Sequence, residues 1–222
     1  MTTRQEELQK FIREADNQYL GVQGSAAFAD DPKHLVFALA RYKFVAKMLQ
    51  GYASVLEVGC GDGFGSTIVA QSVQQLTCID RDVSSLERRA DNVWLRRNTK
   101  MFTHDIVVAP LNERFDAVYA LDVLEHIPPG DEERALRHIV ASSTDNGVVI
   151  LGTPNVTASA YASHQSQLGH VNLKGYDSLK ATIGRWYRHV FLFGMNDEVL
   201  HTGFGPMCHY LIALGVGPRQ NP

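Results

Sequence analysis

The sequence predicts an α/β fold: a mostly parallel sheet covered by helices on both faces and finished at one edge by an antiparallel hairpin. Three observations lead there. From residue 54 to residue 153, short apolar runs of strand period alternate with segments of helical period, the pattern of a parallel sheet with crossover helices. The first of those runs ends in glycines at every second position, Gly59, Gly61, Gly63 and Gly65, where glycine serves a backbone that turns sharply or approaches a ligand closely. The last two runs are joined by Asn196 to Gly205, a link too short for a crossover helix of about a dozen residues, so they pair antiparallel.

Taken in order, Leu8, Phe11, Ile12, Ala15 and Tyr19 recur at spacings of three and four and predict an amphipathic helix over residues 4–20. Gly21 to Asp31 is small and polar and reads as a loop. Asp31-Pro32 opens a second helix with proline in its first turn. Its many apolar residues, Leu35 to Leu49, predict that it is largely buried, and Gly51 ends it. The period then changes. Strands are predicted at Ser54–Val58, Leu76–Asp80, Lys100–His104, Phe115–Leu121 and Gly147–Thr153, with helices at Thr67–Val73, Ser84–Asn92 and Asp131–Ser143 between them. The stretch 154–175 breaks the rhythm with Ser, Ala, Gln, His and Gly and reads as an insertion or lid over the site. Tyr176–Trp186 is a further helix, and His189–Met195 and Pro206–Leu214 are the two hairpin strands. Residues 1–30 read as an N-terminal helical extension and 31–222 as one catalytic domain, a division that suits a chain of 222 residues.

Composition narrows the function classes. The formal charge of −3 argues against a general nucleic-acid binder, which carries a basic excess. The densest basic cluster, Arg88, Arg89, Arg96, Arg97 and Lys100, reads as a solvated helix face. Three widely spaced cysteines, Cys60, Cys78 and Cys208, form no CxxC pair and speak against a thiolate zinc site. They fit a reducing cytoplasm. The polar, acidic start is unlike a signal peptide, and no apolar run approaches the roughly 20 residues that span a bilayer. The expectation is therefore a cytoplasmic protein without a membrane partner.

In a doubly wound sheet, ligands bind beyond the carboxyl ends of the strands where strand order reverses. The glycines there fit no dinucleotide register. Counted from Gly59, the third glycine of Gly-x-Gly-x-x-Gly falls on Phe64; counted from Gly61, it falls on Ser66. Glu57 stands at the entrance to the loop, where a carboxylate repels a diphosphate and suits a ligand that carries positive charge. Asp80 ends the next strand, 21 residues after Gly59, where a carboxylate can accept both hydroxyls of a ribose.

At this point a resemblance emerges. Val55-Leu56-Glu57-Val58-Gly59-Cys60-Gly61-Asp62-Gly63 is similar to the first motif of class I S-adenosylmethionine-dependent methyltransferases, and Cys78-Ile79-Asp80 to the second. Thr103-His104-Asp105-Ile106 resembles the segment whose acidic residue holds the adenine amino group. Phe115 to Ile127 resembles the fourth-strand motif. The resemblance covers residues 53–153. It implies a Rossmann-like sheet of seven strands in the order 3-2-1-4-5-7-6, which agrees with the hairpin. It also implies S-adenosylmethionine as cofactor and S-adenosylhomocysteine as product. Glu57, Gly59, Cys60, Gly61, Asp80, Arg81, His104, Asp105, Ile106 and Leu121 would hold the cofactor, and Arg41 would reach its methionine carboxylate.

Asp122, Glu125 and His126 follow the fourth strand at a spacing that places them on one side of a helical turn. With Thr153-Pro154-Asn155 and Gly169-His170-Val171-Asn172 they resemble the small-RNA 2′-O-methyltransferases of the Hen1 type and, more loosely, the ubiquinone-pathway O-methyltransferases. There, acidic residues and histidines hold a divalent cation beside the acceptor hydroxyls. The resemblance makes Asp122, Glu125, His126 and His170 the catalytic candidates and the ligands of a cation such as Mg²⁺ or Mn²⁺. Asp122 stands where the closest pattern has Glu, and only Gln165 and Gln167 stand where it has a further histidine. A cation of this kind lowers the pKa of an alcohol and orients it; alternatively a neutral His126 or His170 is the general base. The loop residues Asn196, Asp197, Glu198 and His201 could reach the same cleft.

The expected activity is O-methylation of a hydroxyl on a small molecule or sugar, in a glycan, surface-polysaccharide or natural-product pathway. RNA-terminal 2′-O-methylation is the alternative, disfavoured by the missing basic stripe. A cofactor-binding module without catalysis is a third reading.

Overall fold

The computed structural model describes residues 3–14, 20–82, 87 and 93–219. Three helices, α1 (Arg4–Glu14), α2 (Gly21–Asp30) and α3 (Pro32–Met48), precede the first strand, β1 (Ser54–Val58). There follow α4 (Ser66–Ala70), β2 (Gln75–Asp80), α5 (Val93–Asn98), β3 (Thr99–Thr103), β4 (Phe115–Leu121), α6 (Pro129–Ala141) and β5 (Ser143–Pro154). The chain ends in α7 (His164–Gly169), α8 (Tyr176–Trp186), β6 (Tyr187–Asn196), β7 (Val199–His201) and β8 (Tyr210–Pro218). Short 3₁₀ segments lie at Leu124–His126, Val156–Tyr161 and Gly205–Met207.

The strands form one sheet in the order β3-β2-β1-β4-β5-β8-β6-β7. The first five run parallel, and β8 lies antiparallel between β5 and β6. With β7 set aside, this is the seven-strand order that the sequence implies. The hairpin differs in two respects: its last strand runs Tyr210–Pro218 and not Pro206–Leu214, because Gly205–Met207 forms a 3₁₀ turn, and its link carries a further strand. Its link was read as an open loop, but residues 199–201 pair with Gly194–Asn196 and add an eighth strand at the edge. Asp197 makes that turn possible with φ +49, a left-handed conformation that Asp tolerates better than most residues.

Alternation along the strands divides the core between the two faces of the sheet. Leu56, Val118, Val149 and Leu151 pack with Leu136 and Ile139 of α6 and with Leu179, Ile183 and Trp186 of α8. Val55, Ala117, Tyr119 and Ile150 pack on the other face with Val45 and Leu49 at the end of α3 and with Val69 of α4. Trp186 and Tyr187 are thus core residues, as are all three cysteines.

Two helical readings need correction. Gly21–Asp30 is a helix and not a loop. Its small residues let it lie close to the glycine loop, where a Cβ on Gly24 would stand 3.1 Å from the Phe64 ring, and tertiary packing of this kind supplies most of a short helix's stability. α3 starts where predicted, with the Asp31 carboxylate capping the Lys33 amide at 3.0 Å, but it is buried only toward its end; Val36 and Met48 are exposed. The helix predicted at Ser84–Asn92 lies outside the described residues apart from position 87, as do Arg88 and Arg89. Among the described residues no helix is long and apolar enough to cross a membrane.

Candidate active site at the carboxyl ends of the strands

Gly59, Gly61 and Gly63 all take positive φ (+75, +55 and +77), so the every-second-glycine pattern is a backbone requirement. The loop consumes its own amides. Gly59 and Cys60 both donate to the Ile79 carbonyl, Gly63 to Cys60, Phe64 to Asp62 and Gly61 to Asp80 Oδ2 at 2.8 Å. A diphosphate site needs amide protons turned outward, and these are turned inward.

Above the loop lies a cleft of about 420 Å³. Among the described residues, Asp80, Asp82, Asp105 and Asp122 line it, against Arg81 as the one guanidinium on its wall. The lining is therefore anionic and fits a ligand bearing a sulfonium and an ammonium. Asp80 keeps acceptor capacity after taking the Gly61 and Asp82 amides, since each carboxylate oxygen has a second lone pair. The Asp105 Oδ1 holds the Val107 amide at 2.8 Å and shapes the turn behind the apolar wall of Ile106. Gly59, Gly61 and His104 complete this part of the cleft.

The cleft continues past the end of β4, where Asp122 has φ +56 and breaks the run before the 3₁₀ turn Leu124–His126. Arg41 Nη1 donates to both oxygens of Asp122, at 2.9 and 2.8 Å, and its guanidinium lies 3.7 Å from the centre of the Tyr210 ring. Burial, the largest effect, works to lower the Arg41 pKa, but the charge and hydrogen bond of Asp122 together with Tyr210 and Glu125 outweigh it, so the guanidinium stays charged.

Beyond Asp122, Glu125, His126 and His170 each bring a ligand atom within 4.8 Å of the others. Thr153 Oγ1 donates to Glu125 Oε2 at 3.1 Å, while the buried Oε1 has no partner. Burial, reinforced by the charge of Asp122, pushes the Glu125 carboxyl up to about 8. The His126 Nδ1 stands 2.9 Å from the Gly169 carbonyl. A carbonyl only accepts, so Nδ1 carries a proton, and Nε2 is the ring nitrogen free of this bond. His170 lies edge-on to His126 with ring centres 5.1 Å apart. Burial and then the charge of His126 lower its pKa, keeping it neutral near pH 7. An orphaned buried carboxyl oxygen beside two imidazole rings fits a divalent cation.

The comparisons with known proteins agree with this cleft. Residues 25–192, well over half of the chain, match the family model described as a methyltransferase domain. The chain belongs to the methyltransferase-domain family. A ubiquinone biosynthesis O-methyltransferase of Stutzerimonas stutzeri is 31% identical over 49% of this methyltransferase and 47% of its own length. One of Haemophilus ducreyi is 29% identical over 71% and 67%. The chain thus spans about half to two thirds of the length of these curated relatives. Among solved structures, the methyltransferase domain of a bacterial Hen1 superposes with TM-score 0.67 at 16% identity, covering 82% of this chain and 98% of that domain. The N-methyltransferase NodS of Bradyrhizobium japonicum, bound to S-adenosylhomocysteine, gives 0.59 at 16%, covering 95% and 98%. This methyltransferase is of class I, with S-adenosylmethionine as its cofactor.

The structure redistributes several residues that the sequence nominated. Glu57 does not face the cleft. It is 1% exposed, on the α3–α4 side of the sheet with Val55, and accepts from Ser66 Oγ and from Cys78 Sγ. The strand's alternation sends it there, and the anionic character of the cleft comes from the four aspartates instead. Cys60 and Leu121 also lie in that inner cluster. Arg41 serves Asp122, and Asp122, held by Arg41, stands apart from the group of Glu125, His126 and His170. Asn196, Asp197, Glu198 and His201 do not line the cofactor cleft; His201 Nε2 is 2.8 Å from Asn196 Oδ1, within the β6–β7 hairpin. Sequence reasoning missed Gln23, whose side chain lies over Gly61 from α2 and whose amide donates to Asp62 at 2.7 Å. Its flanking glycines, Gly21 and Gly24, were the available signal.

Proposed function

We propose that this methyltransferase transfers the methyl group to a hydroxyl of a small molecule or sugar, with Glu125, His126 and His170 holding a divalent cation at the acceptor end of the cleft. The observation that carries the reading is the trio itself, with the unpartnered Glu125 Oε1 at its centre. Asp80, Asp105 and the glycine loop are assigned to the cofactor, which brings an electrophilic methyl to this point when bound. A cation held by the trio would lower the pKa of a coordinated hydroxyl and orient it. Imidazole nitrogens that hold the cation have no lone pair left for the departing proton, which passes to solvent; in the cation-free alternative His170, kept neutral by burial, takes it. The remaining contribution is alignment of nucleophile and methyl group, worth several kcal/mol in systems of this kind.

Transfer to an RNA terminus is the weaker reading. From Asn146 to Leu173, the stretch that contains His170 has no Lys or Arg to meet phosphates. The curated relatives named as O-methyltransferases support an oxygen acceptor, and NodS, an N-methyltransferase, shares only the fold.

The test is transfer of labelled methyl from S-adenosylmethionine to panels of hydroxylated sugars, phenols and short RNA ends, with Mn²⁺ or with a chelator. Chelator-sensitive labelling of a hydroxylated small molecule, lost in Glu125→Gln, is the expected result. Labelling that ignores the chelator removes the cation, and labelling of amines or of RNA alone removes the acceptor class.

A further inference from the structure

Outside the residues already assigned, a largely shielded ion pair ties the His170 segment to the body of the protein. Lys174 Nζ lies 2.6 Å from Glu132 Oε2, with both side chains only 15% exposed. Asn172, 7% exposed, donates its Nδ2 to the same oxygen at 2.6 Å. Glu132 stands in the first turn of α6, a helix fixed independently by Ala135, Leu136 and Ile139 in the core. The segment it grips returns from α7 beneath the acceptor end of the cleft. The amides of Val171 and Asn172 donate to the Glu125 carbonyl at 2.8 and 3.1 Å, and the Lys174 carbonyl accepts from Val156 at 2.9 Å. His170 is held between Gly169, whose carbonyl receives His126, and this clamp.

We propose that Glu132 is a positioning residue: by holding Asn172 and Lys174 it sets where His170 stands relative to Glu125 and His126. The proposal rests on the reading that His126 and His170 form the acceptor end of the site. The physical argument is one of anchoring. The segment from Val156 to Leu173 contributes few residues to the core, with Val156, Tyr161, Leu168 and Val171 all exposed, so burial does not fix it. A charge pair sheltered from water does, and removing one partner leaves the other charge without compensation. Glu132 takes no part in the chemistry and does not line the cofactor cleft.

Hydrogen exchange on the full chain, compared between wild type, Glu132→Gln and the charge-swapped pair Glu132→Lys with Lys174→Glu, tests this. In Glu132→Gln the amides of Val171 and Asn172 exchange about tenfold faster, while those of β1 and β4 keep their protection. The nuclear Overhauser contact between the His126 and His170 rings fades with them. The swapped pair, whose ammonium at position 132 can donate to the Asn172 side-chain oxygen, recovers most of the protection. Affinity for S-adenosylhomocysteine stays within twofold throughout. Unchanged exchange at Val171 and Asn172, acceleration spread evenly over the sheet, or a His126–His170 contact that persists in Glu132→Gln overturns the proposal. None of these readouts requires a cation or an acceptor, so failure of the wild type to take up Mn²⁺ counts separately, against the reading of the trio.

Discussion

Asp122 shows how a single residue can be committed by its backbone. A non-glycine residue with φ +56 carries strain of about 1 kcal/mol or more, and the Arg41 guanidinium, itself 17% exposed, holds the carboxylate that results. Arg41→Met keeps an apolar stem over Tyr210 and removes the charge. Because the Asp122 side chain is 39% exposed and water can reach it, the expected loss in urea unfolding is about 1–2 kcal/mol, less than for a fully buried pair. Affinity for S-adenosylhomocysteine falls as well, since Asp122 lines the cleft. Gly59 makes a complementary case. Its φ of +75 excludes other residues at modest cost, but an added Cβ would also stand 2.3 Å from Val123 Cγ2. Gly59→Ala is expected to cost roughly 1–2 kcal/mol in strain and more in the clash, with a loss of over tenfold in S-adenosylhomocysteine affinity by calorimetry. Adding Val123→Ala relieves the clash and leaves the strain, so it restores part of the stability and not all. These glycines were legible in the sequence because only backbone conformation explains a glycine at every second place. The direction of Glu57 was not, since the same strand residue can serve either face until the core partners on each side are known.

At the scale of elements, local signals marked the places where helices and strands begin better than the contacts they make. The Asp31-Pro32 pair, the strands Ser54–Val58 and Phe115–Leu121 and the helix Tyr176–Trp186 follow from caps and period alone. α2 and β7 do not, because each is short and gains its stability from a neighbour: α2 from the glycine loop, β7 from β6. The insertion after β5 is a third such element, and Asn155 secures its start. Its Nδ2 donates to the carbonyls of Gly205 and Cys208 at 3.0 and 2.7 Å, and its amide donates to His209 at 2.9 Å. One buried side chain thus satisfies two carbonyls near the start of β8 while its backbone pairs the end of β5 with it. Asn155→Ala takes its donor from the Cys208 carbonyl in a dry setting, while the Gly205 carbonyl keeps the Cys208 amide, and the expected cost is about 1–3 kcal/mol in urea unfolding. Asn155→Asp, which cannot donate, should cost at least as much. A loss below about 0.5 kcal/mol in the alanine variant would mean that other donors replace the amide.

For the whole molecule, the two-faced sheet decides what the sequence can reveal. Short continuous apolar runs between segments of helical period foretold strands buried on both sides, and the short link after Asn196 foretold the antiparallel edge, so the architecture was readable before any contact was known. The acceptor end was readable only in part: the motif residues Glu125, His126 and His170 meet across 45 residues of chain, and no motif marks the contacts of Glu132 with Asn172 and Lys174. The same two-faced burial places an ionisable group where a single-layer sheet would not. Glu57 lies fully buried between β1 and α4, and burial raises its pKa above the ordinary 4.5, although the Ser66 hydrogen bond works in the opposite direction. The folded protein therefore holds a proton there that the unfolded chain releases, and between the two pKa values the folded state binds more protons. Stability contributed at this site is full below about pH 4.5 and declines as the pH rises through the raised folded value, then levels off. The remaining carboxylates blur that slope in the wild type, so the difference from Glu57→Gln isolates it. The amide still accepts from Ser66 and does not titrate. The variant is expected to gain on the wild type as the pH is raised from 4.5 to 8 in denaturant titrations, and a difference that stays flat across that range would show Glu57 to be as easily ionised in the fold as outside it.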